Sequence, residues 1–292
     1  MSAEGRFYPR FSRGQRIQHG ILIVSFTVLA VTGLGQKYAF TGVAEAAIVW
    51  MGGIEAVRIV HRAAAIVLMA ATLYHVFDVA YRVLVRRRPL SMLPRYQDVV
   101  DAGQTVRYNL GRAAARPRMG RYTFDEKVEY WALMWGNVVM IATGFMLWNP
   151  IATAQVFPGQ VIPAAQVAHG GEALLAVLAV IVWHGYAVHL RHFNRSMFTG
   201  SMTEAEMRED HPLELEAIES GQAPVEPLPP LLRRRRRRFL PVAAVLALVL
   251  LAGLYRFVTF EETAIPTLPR HAEPASGQVG GSGAESRSEN VP

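Results

Sequence analysis

The sequence predicts an all-α integral membrane protein, a four-helix transmembrane bundle with a fifth transmembrane helix near the C-terminus. Three observations predict it. Hydrophobic residues make up 51% of the 292-residue chain, and they gather into five runs of about 20, the length that crosses a hydrocarbon core roughly 30 Å thick. Charged residues are only 18%, below the roughly one-quarter usual in soluble domains. Finally, the net charge of +7 is unevenly placed, with arginine crowded between alternate runs.

The first span covers about Ile17 to Gly35 and is too long, with no small-residue cleavage site after it, for a removable signal peptide. The second runs from about Ile59 to Val83, opening on Val60-His61-Arg62. A third, Val128 to Trp148, stops at Asn149-Pro150, because proline cannot continue a helical hydrogen-bond ladder. Gln166 to Leu190 makes the fourth and Phe239 to Val258 the fifth. With the N-terminus in the cytoplasm, the segments on that side carry 24 of the 30 Lys and Arg, which by the positive-inside rule orients the N-terminus inward and the C-terminus outward in a bacterial cytoplasmic (inner) membrane. Arg86 to Arg88 and Arg233 to Arg238 read as anchors against anionic membrane lipid, so the basic excess implies no nucleic-acid partner.

The chain accordingly divides into a basic N-terminus (1–16), a four-helix domain (17–200), a cytoplasmic linker ending in the arginine run (201–238), the fifth helix (239–258) and a disordered extracytoplasmic tail (259–292). No internal repeat is evident. The absence of cysteine excludes disulfides, iron–sulfur clusters and covalently attached haem.

Histidine is then the strongest chemical signal. Nine are present, and His19, His61, His75, His169 and His184 fall within or at the edge of spans, where an ionisable group is costly and marks a site. His189 and His192 sit among arginines at a helix end, and His211 and His271 lie in loops. His61 and His75 are 14 residues apart and His169 and His184 are 15 apart, about 21–22 Å of helix rise and roughly one face in each case. Spans two and four run in the same direction, so the two pairs match in depth. Imidazoles at two matched depths across a bundle are what two haems b need, one axial nitrogen reaching each iron from either side.

The order and spacing of Arg16-Ile17-Gln18-His19, Thr32-Gly33, Val60-His61-Arg62, Tyr130-Trp131, Thr143-Gly144-Phe145-Met146-Leu147-Trp148-Asn149-Pro150, Ala168-His169, Trp183-His184-Gly185-Tyr186, Ser196-Met197-Phe198-Thr199-Gly200 and His211-Pro212-Leu213-Glu214 resemble the gamma subunit of membrane-bound formate dehydrogenases and related hydrogenase-type cytochromes b. That resemblance, over roughly residues 8 to 219, implies two haems b and electron transfer between a quinone near the cytoplasmic face and an extracytoplasmic redox subunit, a multihaem cytochrome c or an iron–sulfur protein. It implies His61 and His169 as ligands of the outer iron, and His19 with His184 for the inner one. Depth matching pairs His184 with His75 instead, and the choice stays open. The resemblance puts Tyr122 and Thr123 at the quinone site, with Thr123 where formate dehydrogenases carry asparagine.

The sequence supplies candidates for the surrounding chemistry. Asp78, one turn after His75, is placed to exchange quinone protons or to pair with Arg82 four residues on. Arg58 and Arg62 flank His61 and suit haem propionates, whereas snorkelling to the interface is the simpler role. Glu172, one turn after His169, is a hydrogen-bond partner for that ring or a proton acceptor at an outer quinol site. The chain has no substrate site of its own, so it reads as an electron-transfer subunit of a larger oxidoreductase. The competing class is a non-redox membrane protein, either a proton-coupled transporter or a haem-free anchor.

Overall fold

A computed structural model describes residues 6–191, 193–222, 224 and 227–259. The expected tail beyond Thr259, together with His192 and His271, lies outside them. Five helices are long and apolar enough to cross a membrane: α1 (Arg13–Lys37), α3 (Ile54–Leu84), α5 (Phe124–Trp148), α7 (Val161–Leu178, continued as π-helix to Leu190) and α11 (Pro229–Thr259). Each rises by about 37 Å or more, enough to span with its backbone hydrogen bonds satisfied internally. Short helices α2 (Gly42–Trp50) and α6 (Pro150–Val156) close the turns at one end of the bundle, while α4 (Tyr96–Asn109) lies at the other, arginine-rich end.

Helix α1 packs along α3, α5 along α7, and α1 touches α7. Helix α11 lies outside these four. Phe239 at its start meets Tyr81 of α3 with ring centroids 5.7 Å apart, and Phe257 near its end meets Phe145 and Trp148 of α5 at 4.2 and 5.3 Å. Helix α11 begins ten residues before the expected fifth span, because arginine is a good helix former and the Arg233 to Arg238 run simply continues the helix.

The expected linker requires a larger correction. Residues 201–219 form strand β2 (Ser201–Thr203) and helices α9 (Glu204–Asp210) and α10 (Pro212–Glu219), which follow the four-residue α8 (Ser196–Thr199). Strand β2 pairs antiparallel with β1 (Phe7–Pro9), and Tyr8, Met202, Met207 and Leu215 make a small buried core. The chain turns into β2 at Gly200, whose φ is +87° and where a Cβ would come within 3.0 Å of the Phe11 carbonyl, so only glycine fits.

Buried Arg10 ties this cap to the bundle. Its guanidinium is 2.8 Å from Glu214 of α10 and 3.3 Å from Glu126 of α5, and Arg121 adds bonds to Glu214 and to the Arg10 carbonyl. His211 donates from Nδ1 to the Gly120 carbonyl at 2.8 Å. Burial, then the neighbouring Arg10 charge, pushes its pKa down to about 4. The lowered value means stability that is complete above the ordinary histidine range near 6.5 and is lost as pH falls through about 4. The protection factor of amides over 201–219, corrected for the intrinsic pH dependence of exchange, is therefore expected to fall between about pH 6.5 and 4, and a His211→Gln chain is expected to lack that fall.

Candidate haem sites

Two pairs of histidines face each other across the bundle. His61 on α3 stands opposite His169 on α7 with ring centroids 6.4 Å apart, and His19 on α1 stands opposite His184, also at 6.4 Å. The pairs lie at different depths, the second towards the arginine-rich end. A single metal between two imidazoles requires about 6.3 Å from centroid to centroid, given metal–nitrogen bonds of about 2.0–2.1 Å. Among the described residues His75 has no histidine opposite it; its two ring nitrogens go to Gln18 Oε1 at 2.8 Å and Tyr130 Oη at 3.0 Å.

The hydrogen bonds behind these rings orient them. Thr32 and Thr143 donate their hydroxyls to the carbonyls of Val28 and Val139, each at 2.6 Å, so each hydroxyl oxygen is left to accept. It accepts from Nδ1 of His61 at 2.8 Å and of His169 at 2.9 Å. His184 Nδ1 is 2.9 Å from the Glu129 carboxylate. In all three rings Nε2 is then the lone-pair nitrogen, the arrangement that metal-binding histidines adopt. Glycine follows each threonine because the ring packs against it; a Cβ on Gly33 would sit 3.1 Å from His61 Cε1, and one on Gly144 3.5 Å from His169 Cε1.

This repetition corrects the reading that the chain has no internal repeat. Thr32 lies 13 residues after His19, and Thr143 lies 13 after Tyr130; each Thr-Gly pair then supports a histidine on the following long helix. The α1–α3 and α5–α7 hairpins thus share a Thr-Gly support for a histidine on the helix that follows. The second hairpin departs in the one-residue-longer spacing from His169 to His184, which falls where α7 becomes π-helical at Ala179–His184. A π turn advances each residue by less than the about 100° of an α-helix, which keeps His184 on the face of His169 despite the extra residue.

The other expected residues are placed as follows. Asp78 bonds Arg82 Nε at 2.9 Å and accepts from Gln18 Nε2 at 3.1 Å. Tyr122 lies between the guanidinium groups of Arg10 and Arg121, 5.2 and 5.6 Å from its ring centre. Thr123 caps α5, its hydroxyl accepting from the Glu126 backbone N–H at 3.3 Å. Asp78 therefore belongs with His75, and Tyr122 and Thr123 belong with the Arg10 cluster. Arg58 makes an exposed pair with Glu55, worth little in water, while Arg62 stacks over Trp148 at 4.8 Å. Glu172 lies against Gly136, where a Cβ would come within 2.6 Å of its Oε1, and the nitrogen at His169 Nδ1 is served by Thr143 instead.

Three participants were not anticipated. Glu129, which holds His184, had a readable signal as a carboxylate within a span. Lys37 arches over Gly170, next to His169, with Nζ 2.7 Å from where a Cβ would be; only the fold brings it there. The Trp148 indole N–H is buried with no partner among the described residues, beside the Arg62 guanidinium.

The profile of the family described as prokaryotic cytochrome b561 matches residues 10–202. The chain belongs to this family. It is 27% identical over 208 residues to the formate dehydrogenase cytochrome b556(fdo) subunit of Escherichia coli K12, covering 70% of this chain and 89% of that protein. It is 25% identical over 108 residues to the nitrate-inducible formate dehydrogenase cytochrome b556(Fdn) subunit of the same strain, covering 37% of this chain and 49% of that one. As a cytochrome b561 family member with five apolar helices, it is a multi-pass membrane cytochrome of the b type, serving electron transport with haem b.

The residues present fit such a group. Both facing pairs have the span of one bis-imidazole iron, and the Nδ1 partners of His61, His169 and His184 leave Nε2 of those three rings as the lone-pair nitrogen. An unpaired buried indole N–H with a guanidinium beside it suits a propionate.

Proposed function

We propose that this protein is the di-haem membrane subunit of a quinone-linked oxidoreductase, carrying electrons between a quinone at the arginine-rich, cytoplasmic face and a redox subunit beyond the opposite face. The two histidine pairs with equal 6.4 Å separations carry this reading. His61 and His169 hold the outer haem b, and His19 and His184 the inner one. The choice of His19 over His75 rests on two facts: His19 faces His184, and both nitrogens of His75 are engaged elsewhere.

Each haem, when bound, supplies a one-electron carrier whose potential the protein tunes through axial ligands and hydrogen bonds to them. This chain's own groups do the rest. Thr32, Thr143 and Glu129 set the tautomer and orientation of three ligand rings. Arg62, Lys37 and the Trp148 N–H compensate propionate charge at the outer level. The relatives are named as cytochrome subunits of formate dehydrogenases, which supports a place here in a complex whose other subunits hold the substrate site. That 24 of 30 Lys and Arg lie at one end supports an inner-membrane protein with the N-terminus in the cytoplasm.

Pyridine haemochrome assay of the purified chain is expected to give two haems b per polypeptide, both reducible by dithionite. A stoichiometry of one removes one of the two pairs from the scheme, and none returns the protein to an anchoring role.

A further inference from the structure

Five side chains from three helices form one continuous hydrogen-bonded line beside the His19–His184 pair. Arg82 Nε donates to Asp78 at 2.9 Å, and Arg82 also reaches Ser12 at the N-terminus of α1 at 3.3 Å. Gln18 Nε2 donates to Asp78 at 3.1 Å, Gln18 Oε1 meets His75 Nδ1 at 2.8 Å, and His75 Nε2 meets Tyr130 Oη at 3.0 Å. The line adjoins the histidine pair at two points, since Gln18 precedes His19 and Tyr130 follows Glu129, the partner of His184.

The direction of the line follows from its fixed end. An Asp78 carboxylate paired with Arg82 only accepts, so Gln18 must present its NH₂ to it and its carbonyl to His75. His75 must then donate from Nδ1, which makes Nε2 the lone-pair nitrogen, and Tyr130 must donate its O–H to that nitrogen. The Tyr130 oxygen keeps lone pairs of its own, and half-buried Tyr130 stands on α5 at the level of Glu129, near the arginine-rich end.

We infer that Tyr130 and His75 are a proton-exchange pair for the quinone headgroup, oriented by Gln18, Asp78 and Arg82. This rests on the quinone reading above and names its proton-handling group. Reducing a quinone to a quinol takes two electrons and two protons, and the two haems, when bound and reduced, would supply one electron each. For one of the protons, His75 Nε2 first takes a proton from solvent and then donates to the Tyr130 oxygen, which frees the Tyr130 O–H for the quinone; that O–H bond breaks as a quinone–oxygen bond to the proton forms, Tyr130 takes the Nε2 proton as its replacement, and the second proton comes from solvent. In quinol oxidation the same bonds form and break in reverse. Tyr130 touches the quinone and is the catalytic residue; Gln18 and Asp78 are positioning residues that hold the His75 tautomer.

The test uses the purified full chain, pre-reduced with dithionite and mixed in stopped flow with a short-chain ubiquinone analogue. Haem content and reduced spectra are measured for every variant. Unchanged protein is expected to be reoxidised, more slowly in deuterium oxide. Tyr130→Phe and His75→Gln are expected to keep two haems and to slow reoxidation by at least about a hundredfold, the lower part of what positioned proton transfer contributes. Asp78→Asn replaces an acceptor-only group by an amide that can also donate to Gln18, so the Gln18 amide is no longer fixed, and ¹⁵N-histidine infrared bands in the oxidised, quinone-free protein are expected to show a second tautomer, with slower reoxidation. Absence of quinone-driven reoxidation in the unchanged chain rejects the quinone reading and this pair with it. Reoxidation in Tyr130→Phe as fast as in the unchanged chain rejects the pair alone, and loss of a haem in His75→Gln shows that His75 is a ligand and overturns the assignment.

Discussion

His61→Ala is expected to lose one of two haems b and to keep the other. The substitution removes one axial nitrogen and leaves an opening beside Gly33, against which the ring packs. It also strands the Thr32 oxygen that accepts from His61 Nδ1. His169→Ala is expected to give the same spectrum, since the two rings face each other at 6.4 Å. His19→Ala and His184→Ala are each expected to remove the other haem, because that pair is equally spaced. His75→Ala is the discriminating control and is expected to retain both, since its nitrogens serve Gln18 and Tyr130. Reduced-minus-oxidised spectra with haemochrome quantitation decide among these. Two haems in His61→Ala remove it as a ligand, and one haem in His75→Ala reverses the inner assignment.

The second large effect is on stability rather than on cofactors. Arg10→Met leaves the carboxylates of Glu126 and Glu214 without the buried guanidinium that both of them contact, and it removes the cation from one face of Tyr122. Breaking a buried ion pair from one side costs about 3–5 kcal/mol, and the partial exposure of Glu126 reduces this to about 2–4 here. The loss falls on the cap formed by β1, β2, α9 and α10, not on the membrane spans. Limited proteolysis is expected to cut Arg10→Met within 201–219 at least tenfold faster, with Arg10→Lys intermediate because an ammonium keeps the charge but not the two-pronged geometry. Equal cleavage rates in all three proteins contradict the anchoring role.

Much of this architecture was legible in the chain because membranes impose simple length and charge rules. Spans of about 20 apolar residues, the stop at Asn149-Pro150 and the arginine asymmetry are local features, and four of the five helices follow them closely. The cap was misread as a linker because its polar composition hides two kinds of signal. One is local and was available: Thr203 and Glu206 form a capping box, in which each side chain bonds the other's backbone N–H. The other is not local, since Met202, Met207 and Leu215 are buried only because Tyr8, some 200 residues earlier, packs among them. The repeat was missed for a related reason: its identity is confined to Thr-Gly pairs and the histidines they support.

The sequence by itself determined that the protein crosses a membrane with its arginines at one end, and that its spans carry histidine and no cysteine. Both follow from composition and from the spacing of residues along single helices. Which histidines face each other was decided only by the tertiary structure. Helical spacing sets depth and face to within part of a turn, which left His19 and His75 equally eligible to meet His184. Packing between helices, the π-helical stretch at Ala179–His184, and hydrogen bonds from Gln18 and Tyr130 then turn one ring towards His184 and engage both nitrogens of the other. Such contacts are made between residues far apart in the chain, so no periodicity within one helix encodes them.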